Sequence, residues 1–107
     1  MCEWAGQSGE KYRYEIHTTQ AVFRPLPGLY IYAKRLADGD WIPVYISQTR
    51  DLHQRLEGEV RLADALAAGA THIHAHYSNA GQGARCQEER DLIGRWRPVC
   101  NDEAPRS

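Results

Sequence analysis

The sequence predicts an α+β fold in the order ββααβα, with a small three-stranded antiparallel sheet flanked by helices. Two β-rich runs surround the turn signal Asp38-Gly39, which predicts a hairpin. Two short helical stretches follow the hairpin. A third β-rich run then precedes a longer helical stretch near the end of the chain. The 107 residues are enough for one domain with one core.

The hairpin strands are predicted over residues 28–34 and 41–47. Pro43 lacks a backbone donor, so we expect the firmer pairing nearer Tyr45. Thr49 or Asp51 can cap the first helix, because their side chains accept from the free N–H groups of a first turn.

The first helix carries Leu52 and Leu56 and ends at Gly58. The second helix is predicted over residues 60–68, with Gly69 as its C-terminal stop. These short helices lead into the third strand.

The third strand is predicted over residues 71–77, followed by a loop and a last helix over residues 84–96. Pro98 ends that helix. Residues 103–107 are predicted to be a C-terminal tail.

The N-terminal segment, residues 1–23, is predicted to be an arm or an edge strand. It is mostly polar, and its β-like feature is the alternating patch of residues 12–16. Two prolines then mark the entry to the main domain, which we expect to cover residues 24–102.

Composition bounds the class of protein. Hydrophobic residues make up 42% of the chain and charged residues 25%, as in an ordinary globular domain. The longest apolar run, residues 62–70, is far too short to span a bilayer, and no signal peptide is visible, so we expect a cytoplasmic protein with no membrane partner. Three cysteines without CxxC spacing indicate reduced thiols.

The net charge of −1 argues against a protein that coats DNA tightly, because such proteins neutralise many phosphates with basic side chains. An enzyme that binds nucleic acid transiently remains compatible with this charge when a metal ion supplies positive charge at the site.

Alternation along the three strands predicts an aliphatic face and a tyrosine face of the sheet. The expected aliphatic core face comprises Leu29, Ile31, Ala33, Val44, Ile46, Ile73 and Ala75. The expected opposite face comprises Gly28, Tyr30, Tyr32, Tyr45, Ser47, His72, His74 and His76. Tyrosines and imidazoles are unusual choices for a plain solvated face, so this face is a candidate site.

Helical spacing places Glu89 on the apolar stripe of the last helix, before Leu92 and Trp96. A carboxylate facing a core is unfavourable unless it is paired or bound to metal. Its neighbour Glu88 is expected to face solvent. Arg55 lies beside the apolar stripe of its own helix, so a buried Arg55–Glu89 ion pair is the structural alternative to a shared binding site.

These residues resemble the GIY-YIG nuclease superfamily over residues 24–102. Its two short motifs are matched by Gly28-Leu29-Tyr30 and by Tyr45-Ile46-Ser47, and Arg55 follows at the family's spacing. The C-terminal motif of the family is matched by the run Glu89-Arg90-Asp91-Leu92-Ile93, followed by Pro98 and Asn101.

The resemblance implies a divalent-metal-dependent endonuclease that hydrolyses DNA phosphodiester bonds, acting as a monomer or a homodimer. Glu89 would ligate one Mg²⁺ or Mn²⁺ ion, and Tyr30 would activate or position the attacking water. Tyr45 and Arg55 would hold the scissile phosphate, which a guanidinium fork suits. Asn101 would fix the geometry of the site.

Two departures from the family pattern leave the general base open. Ser47 replaces the glycine of the second motif, and Glu59 stands where many members carry a histidine. The three histidines His72, His74 and His76 are therefore candidates for the general base or a phosphate contact, with His74 the first choice.

Two other functions stay open from the sequence. The same three histidines, with Cys86 or Cys100, could form a zinc site. Alternatively, the domain retains the scaffold and binds nucleic acid or protein without cutting, which Ser47, Glu59 and the acidic balance favour.

Overall fold

The protein contains one five-stranded antiparallel sheet with helices on both faces, as seen in a computed structural model that describes residues 1–102. The strands are β1 (Cys2–Ala5), β2 (Lys11–Thr18), β3 (Gly28–Arg35), β4 (Trp41–Thr49) and β5 (His72–Tyr77). The helices are α1 (Leu52–Glu57), α2 (Leu62–Ala67), α3 (Gln82–Trp96) and α4 (Val99–Asp102). The predicted tail, residues 103–107, lies outside the described residues.

The three-stranded sheet predicted from the sequence is wrong, because the N-terminal segment adds two strands. The strand order is β1-β2-β5-β3-β4, so β2 lies inside the sheet between β1 and β5. Tyr14 is the one fully buried residue of β2, which leaves hardly any hydrophobic alternation to detect. Long-range backbone pairing with β5 defines this strand, and local sequence carries little signal for such pairing.

Several local predictions are confirmed. The Asp38-Gly39 hairpin turn forms, with the Leu36 N–H donating to the Asp40 carbonyl at 2.7 Å. Asp51 caps α1 by accepting from the backbone N–H of Gln54 at 2.9 Å. Each of these features depends on residues close together in the sequence.

The end of the chain differs from the prediction. The last long helix begins slightly earlier than expected, at Gln82, and ends at Trp96. Arg97 then adopts the left-handed conformation at φ 47°, and the short helix α4 follows Pro98. Pro98 therefore separates two helices, because its ring fits the first turn of the second.

The predicted assignment of faces is wrong for β5. Ile31 pairs with His74 and with Ile46, whereas Tyr30 pairs with Ala75 and Ser47. Directly paired residues share a face of a sheet, so the histidines of β5 lie with the aliphatic residues of β3. Helices cover both faces, so both faces are core. Hydrophobicity alone therefore does not reveal which of the two alternating sets of β5 side chains packs on which face of the sheet.

A β-bulge at Val44 corrects a second prediction. Tyr32 pairs with Tyr45, but the next residue of β3, Ala33, pairs with Pro43, so Val44 is the extra residue. A bulge changes the face to which the following residues point. Val44 consequently packs with the tyrosines and not with Ile46 as predicted.

Two hydrophobic cores result, one on each side of the sheet. The tyrosine-face core, covered by α1 and α2, comprises Phe23, Tyr30, Tyr32, Val44, Leu52, Ala65, Ala70, Ile73, Ala75 and Cys100. The histidine-face core, covered by α3, comprises Trp4, Tyr14, Leu29, Ile31, Ala33, Ile46 and Leu92. A site near Tyr30 is therefore separated by the sheet from a site near the histidines.

Gly28 allows β3 to approach its neighbours closely. A Cβ atom at this position would lie 2.3 Å from the carbonyl oxygen of His76 and 2.7 Å from Leu52 Cδ1. A glycine is thus required where the chain enters the motif that contains Tyr30. None of the helices in residues 1–102 has the length and apolar character needed to cross a membrane.

Candidate functional site

A cluster of polar side chains lies on the tyrosine face of the sheet, next to the C-terminal end of α1. The ring of Tyr30 is buried, and its hydroxyl donates a hydrogen bond to Glu59 Oε2. Arg55 Nη1 lies 3.5 Å from the same hydroxyl and donates to Ser47 Oγ at 3.2 Å. We call Tyr30, Ser47, Arg55 and Glu59 the hydroxyl cluster.

Three elements position the hydroxyl cluster. Tyr30 on β3 and Ser47 on β4 are cross-strand partners, so their side chains share a face. Arg55 is in the last turn of α1, and Glu59 follows Gly58 in the turn between α1 and α2. The second carboxylate oxygen of Glu59 accepts from the backbone N–H of Arg61 at 3.0 Å, which fixes its orientation.

Ser47, the departure from the second motif, fits without backbone strain. Among the residues the structure describes, Arg97 is the one non-glycine residue with a positive φ, so Ser47 has an ordinary strand conformation. Its hydroxyl is the acceptor for Arg55. The serine therefore contributes a contact that glycine could not make.

Burial and neighbouring charges shift the pKa values of Tyr30 and Arg55 in the hydroxyl cluster. Burial raises the pKa of Tyr30, and the hydrogen bond and charge of Glu59 raise it further, while Arg55 opposes them. Burial works against the charge of Arg55, but the contact with Tyr30 and the charge of Glu59 leave its pKa raised. Tyr30 is thus a protonated donor and Arg55 a permanent cation.

Tyr45 lies beside the hydroxyl cluster on the same face. Its ring centroid is 6.2 Å from that of Tyr30 and 6.2 Å from that of Tyr32. The guanidinium of Arg61 lies 5.9 Å from the Tyr45 ring centroid, within the range of a cation–π contact. The structure therefore brings together Tyr30, Tyr45 and Arg55.

Glu89 and Asn101 lie along the free edge of β4. The backbone N–H of Gln48 donates to Glu89 Oε2 at 3.1 Å. The amide of Asn101 pairs with both backbone groups of Ile46, at 2.8 Å to the N–H and 2.9 Å to the carbonyl. Since β4 is the outermost strand, these side chains take the place of a missing neighbouring strand.

The Glu89 carboxyl is half-buried, and burial raises its pKa. The N–H of Gln48 and the charges of Arg55 and Arg90 oppose that shift. The alternative of a buried Arg55–Glu89 ion pair is not observed among the described residues: Arg55 influences Glu89 through its charge, while its side-chain hydrogen bonds go to Tyr30 and Ser47. A desolvated carboxyl of this kind is typical of functional sites.

A polar cleft of about 440 Å³ opens between the start of α1, its end and the start of α3. Its lining residues are Gln48, Thr49, Arg50, Asp51, Gln54, Arg55, Gly58, Gln82 and Arg85. Three arginines line the cleft against one acidic residue, Asp51, which also caps α1. We call it the arginine cleft, and this excess makes it electropositive.

Sequence reasoning missed Arg85. Arg85 is only 6% exposed, and its Nε donates to Gln48 Oε1 at 3.2 Å. Arg85 precedes Glu89 by one helical turn on α3, so both side chains lie on one side of the helix. Helical spacing from Glu89 was the signal that could have identified it.

The candidate histidines lie on the opposite face from Tyr30. His74 is fully buried, and Trp4 Nε1 donates to its Nδ1 at 3.0 Å. Burial, with nearby His72 adding to it, lowers the pKa of His74 to about 4. The prediction that these histidines share the face of the tyrosines is wrong, and the sheet separates them from the hydroxyl cluster.

Glu88, predicted to face solvent, is instead mostly buried against the sheet. Its side chain is 11% exposed and lies 2.7 Å from His76 Nε2. The hydroxyl of Tyr14 donates to the same carboxylate oxygen, also at 2.7 Å. These contacts bind α3 to the histidine face.

The zinc site that stayed open from the sequence has no support in the described residues. Within residues 1–102, no group of three or more His, Cys, Asp or Glu side chains is arranged to hold a metal ion. Magnesium requires fewer protein ligands, because it keeps several water molecules. The half-buried carboxylate of Glu89 fits such an ion.

Comparisons of the chain with protein families, with curated proteins and with solved structures found no significant match. A function therefore has to be inferred from the contacts of the chain itself and from the resemblance of its motifs.

Proposed function

We propose that the chain is a divalent-metal-dependent endonuclease that hydrolyses DNA phosphodiester bonds. The observation that carries the proposal is the position of Arg55. This one side chain contacts the hydroxyl of Tyr30, lines the arginine cleft and influences the charge of Glu89. A phosphate group bound by Arg55 would therefore lie near both a hydroxyl and a carboxyl.

The arginine cleft supplies the affinity for DNA. Arg50, Arg55 and Arg85 line it, and guanidinium groups bind phosphate oxygens through paired hydrogen bonds. Because the chain as a whole carries a net charge of −1, binding has to depend on this local group of cations and not on the overall charge. Binding of this kind is transient and strongly salt-dependent, and the chain acts as a monomer or a homodimer.

Glu89 is the residue that would hold one Mg²⁺ or Mn²⁺ ion. A bound divalent ion supplies positive charge for the phosphate oxygens and lowers the pKa of bound water. Burial raises the pKa of Glu89 although Arg55 and Arg90 oppose the shift, and a bound cation would further stabilise the ionised carboxylate.

The scissile phosphate would be contacted by Tyr30, Tyr45 and Arg55. Arg55 holds the phosphate, and the hydroxyl of Tyr30 orients the attacking water or takes its proton. Tyr45, on the same face, provides a second phosphate contact. Asn101 acts indirectly, since its amide holds the edge strand that carries Tyr45.

The decisive experiment uses Glu89→Gln, because glutamine keeps an oxygen for the Gln48 N–H and removes the charge. Wild type is incubated with single-stranded, duplex and branched DNA, with Mg²⁺, with Mn²⁺ and with EDTA. We expect metal-dependent cutting by wild type and by the control Glu88→Gln, and none by Glu89→Gln.

Thermal unfolding provides a second readout that does not depend on cutting. We expect Mg²⁺ or Mn²⁺ to raise the Tm of wild type but not of Glu89→Gln. Without metal, the Tm of Glu89→Gln should not fall below that of wild type, because burial already disfavours the ionised carboxyl. Cutting by Glu89→Gln at the wild-type rate contradicts the proposal.

A second function, DNA binding without cutting, is favoured by one observation. Glu89 and Asn101 both satisfy the edge of β4, so their presence has a purely structural explanation. The same experiment distinguishes the two functions. Salt-dependent binding in the arginine cleft with no cutting in either metal would identify a binding module.

A further inference from the structure

We propose that Glu59 is the proton acceptor of the site: it takes the hydroxyl proton of Tyr30 as Tyr30 takes a proton from the attacking water. This inference rests on the proposed nuclease function and deepens it. It assigns the general base, which the sequence leaves open, to a Tyr30–Glu59 pair. Glu59 acts through Tyr30 and does not itself contact the DNA.

The geometry of the hydroxyl cluster supports this assignment. Tyr30 donates its hydrogen bond directly to Glu59 Oε2, so the proton already lies on the path of transfer. The other oxygen of Glu59 is held by the backbone N–H of Arg61 at 3.0 Å. The acceptor is therefore fixed in position before substrate binds.

Other candidate bases are excluded by their positions. His72, His74 and His76 lie on the opposite face of the sheet. Arg55 is a cation, and the Ser47 hydroxyl is a much weaker base than a carboxylate. Within the described residues, Glu59 is the carboxylate that contacts the Tyr30 hydroxyl.

The direct contact also explains how a buried tyrosine takes part in proton transfer. Burial raises the pKa of Tyr30, so a free phenolate is strongly disfavoured. Loss of the phenolic proton becomes feasible when the same event gives Tyr30 a proton from water. The hydroxyl then remains neutral throughout, and the charge moves between water and Glu59.

The proposed step balances with water as the co-reactant. The water oxygen forms a bond to phosphorus, and its proton moves to the Tyr30 oxygen. The original Tyr30 proton moves to Glu59 Oε2, which becomes a carboxylic acid. The bond from phosphorus to the leaving oxygen breaks, and the leaving alkoxide takes a proton from solvent. Glu59 then returns its proton to solvent.

Arg55 belongs to both the hydroxyl cluster and the arginine cleft and connects them. It lines the cleft and is solvent-exposed, yet reaches within 3.5 Å of the Tyr30 oxygen. Tyr30 itself is fully buried, so in the proposed step the attacking water has to reach its hydroxyl past the guanidinium of Arg55. Glu59 accepts directly from the hydroxyl, so it is the next group after Tyr30 in the proposed relay.

The test compares Glu59→Gln, Glu59→Ala and the control Glu88→Gln in single-turnover DNA cleavage. Glutamine keeps an acceptor for the Tyr30 hydroxyl but is not basic, so we expect a rate loss of about 100-fold. DNA affinity, measured without metal, should stay within about threefold of wild type. Added acetate should partly restore cleavage by Glu59→Ala, which a merely structural role would not allow.

A double-mutant cycle checks the contact without requiring activity. Tyr30→Phe, Glu59→Ala and the double variant are compared with wild type in denaturant unfolding. We expect the two substitutions to be coupled, because the Tyr30 hydroxyl donates directly to Glu59 Oε2. Additive effects of the two substitutions overturn the contact and the inference with it.

The outcomes separate the two proposals. If wild type and Glu59→Gln cleave DNA at similar rates, the proton-acceptor role of Glu59 is overturned and the proposed nuclease function is retained. A rate loss that acetate does not restore, with an equal loss of DNA affinity, also overturns it. Wild type that cleaves nothing in either metal overturns the nuclease function and this inference together.

Discussion

Two tyrosine–glutamate hydrogen bonds lie on opposite faces of one sheet. Tyr30 donates to Glu59 on the tyrosine face, and Tyr14 donates to Glu88 on the histidine face. Both tyrosines are fully buried, and burial raises the pKa of both. The chemical pair is the same, so a difference in role must come from the surroundings.

The surroundings differ in charge and in access. Arg55 joins the Tyr30 hydroxyl to the arginine cleft. On the other face, the Tyr14 ring packs edge-on against His76 with ring centroids 4.6 Å apart, and the Glu88 side chain on α3 is only 11% exposed. We infer that the first pair performs chemistry and that the second binds a helix to the sheet. A buried Tyr–Glu pair alone does not identify a site.

The largest expected effect is the difference between two tyrosine substitutions. Tyr30→Phe removes the hydroxyl that contacts Glu59 and Arg55, and we expect DNA cleavage to fall about 1,000-fold. Tyr14→Phe makes the same change on the other face and should leave the rate of the folded protein within about threefold. Single-turnover rates measure both, and equal effects of the two substitutions contradict the comparison.

The second prediction concerns His74, which fills the histidine-face core as a neutral ring. Its folded-state pKa of about 4 lies below the ordinary histidine value of 6.5, so the unfolded chain binds the proton more tightly. The stability it contributes is present above about pH 6.5 and is lost as the pH falls towards about 4, amounting to about 3 kcal/mol.

Urea unfolding between these pH values tests the prediction with His74→Gln. Glutamine retains an acceptor for the Trp4 indole N–H and does not titrate. We expect the wild-type free energy of unfolding to fall more steeply with decreasing pH than that of the variant. Parallel pH dependence in the two proteins would show that His74 titrates as an ordinary exposed histidine.

These residues show what could be predicted from the sequence. The cap of α1 at Asp51 and the hairpin turn depend on neighbours along the chain, and both were predicted. The neighbours of Tyr14 and His74 depend on which strands pair. Strand pairing depends on contacts between residues far apart in the sequence, which local sequence patterns do not predict.

The hydroxyl cluster was predicted only in part. The motif resemblance identified Tyr30 and Arg55, but it treated Glu59 as a loss because the family's histidine is missing there. Only the structure shows the carboxylate accepting from Tyr30. Glu59 belongs to a turn, where hydrophobic spacing gives no direction to a side chain.

A smaller effect is expected at the free edge of β4. Asn101→Ala removes the amide that satisfies both backbone groups of Ile46, and we expect a loss of about 1–2 kcal/mol in the free energy of unfolding. Denaturant unfolding measures it. An unchanged midpoint would mean that water replaces the amide at this edge without loss.

The smallest expected effect is the coupling between Tyr14 and Glu88. A double-mutant cycle with Tyr14→Phe and Glu88→Gln should give about 1 kcal/mol, as for a single hydrogen bond within a folded protein. Denaturant unfolding of the four proteins measures the coupling. A value near zero would remove the structural role assigned to this pair.

The most direct test of the central claim is the single-turnover rate of DNA cleavage in Mg²⁺ by wild type, Glu89→Gln and Glu88→Gln. The two variants change adjacent residues of α3, of which Glu89 contacts the edge of β4 and Glu88 contacts the histidine face. We expect cleavage by wild type and by Glu88→Gln, and none by folded Glu89→Gln. Equal rates for all three proteins, or no cleavage by wild type in Mg²⁺ or Mn²⁺, would contradict the assignment of the tyrosine face as a hydrolytic site.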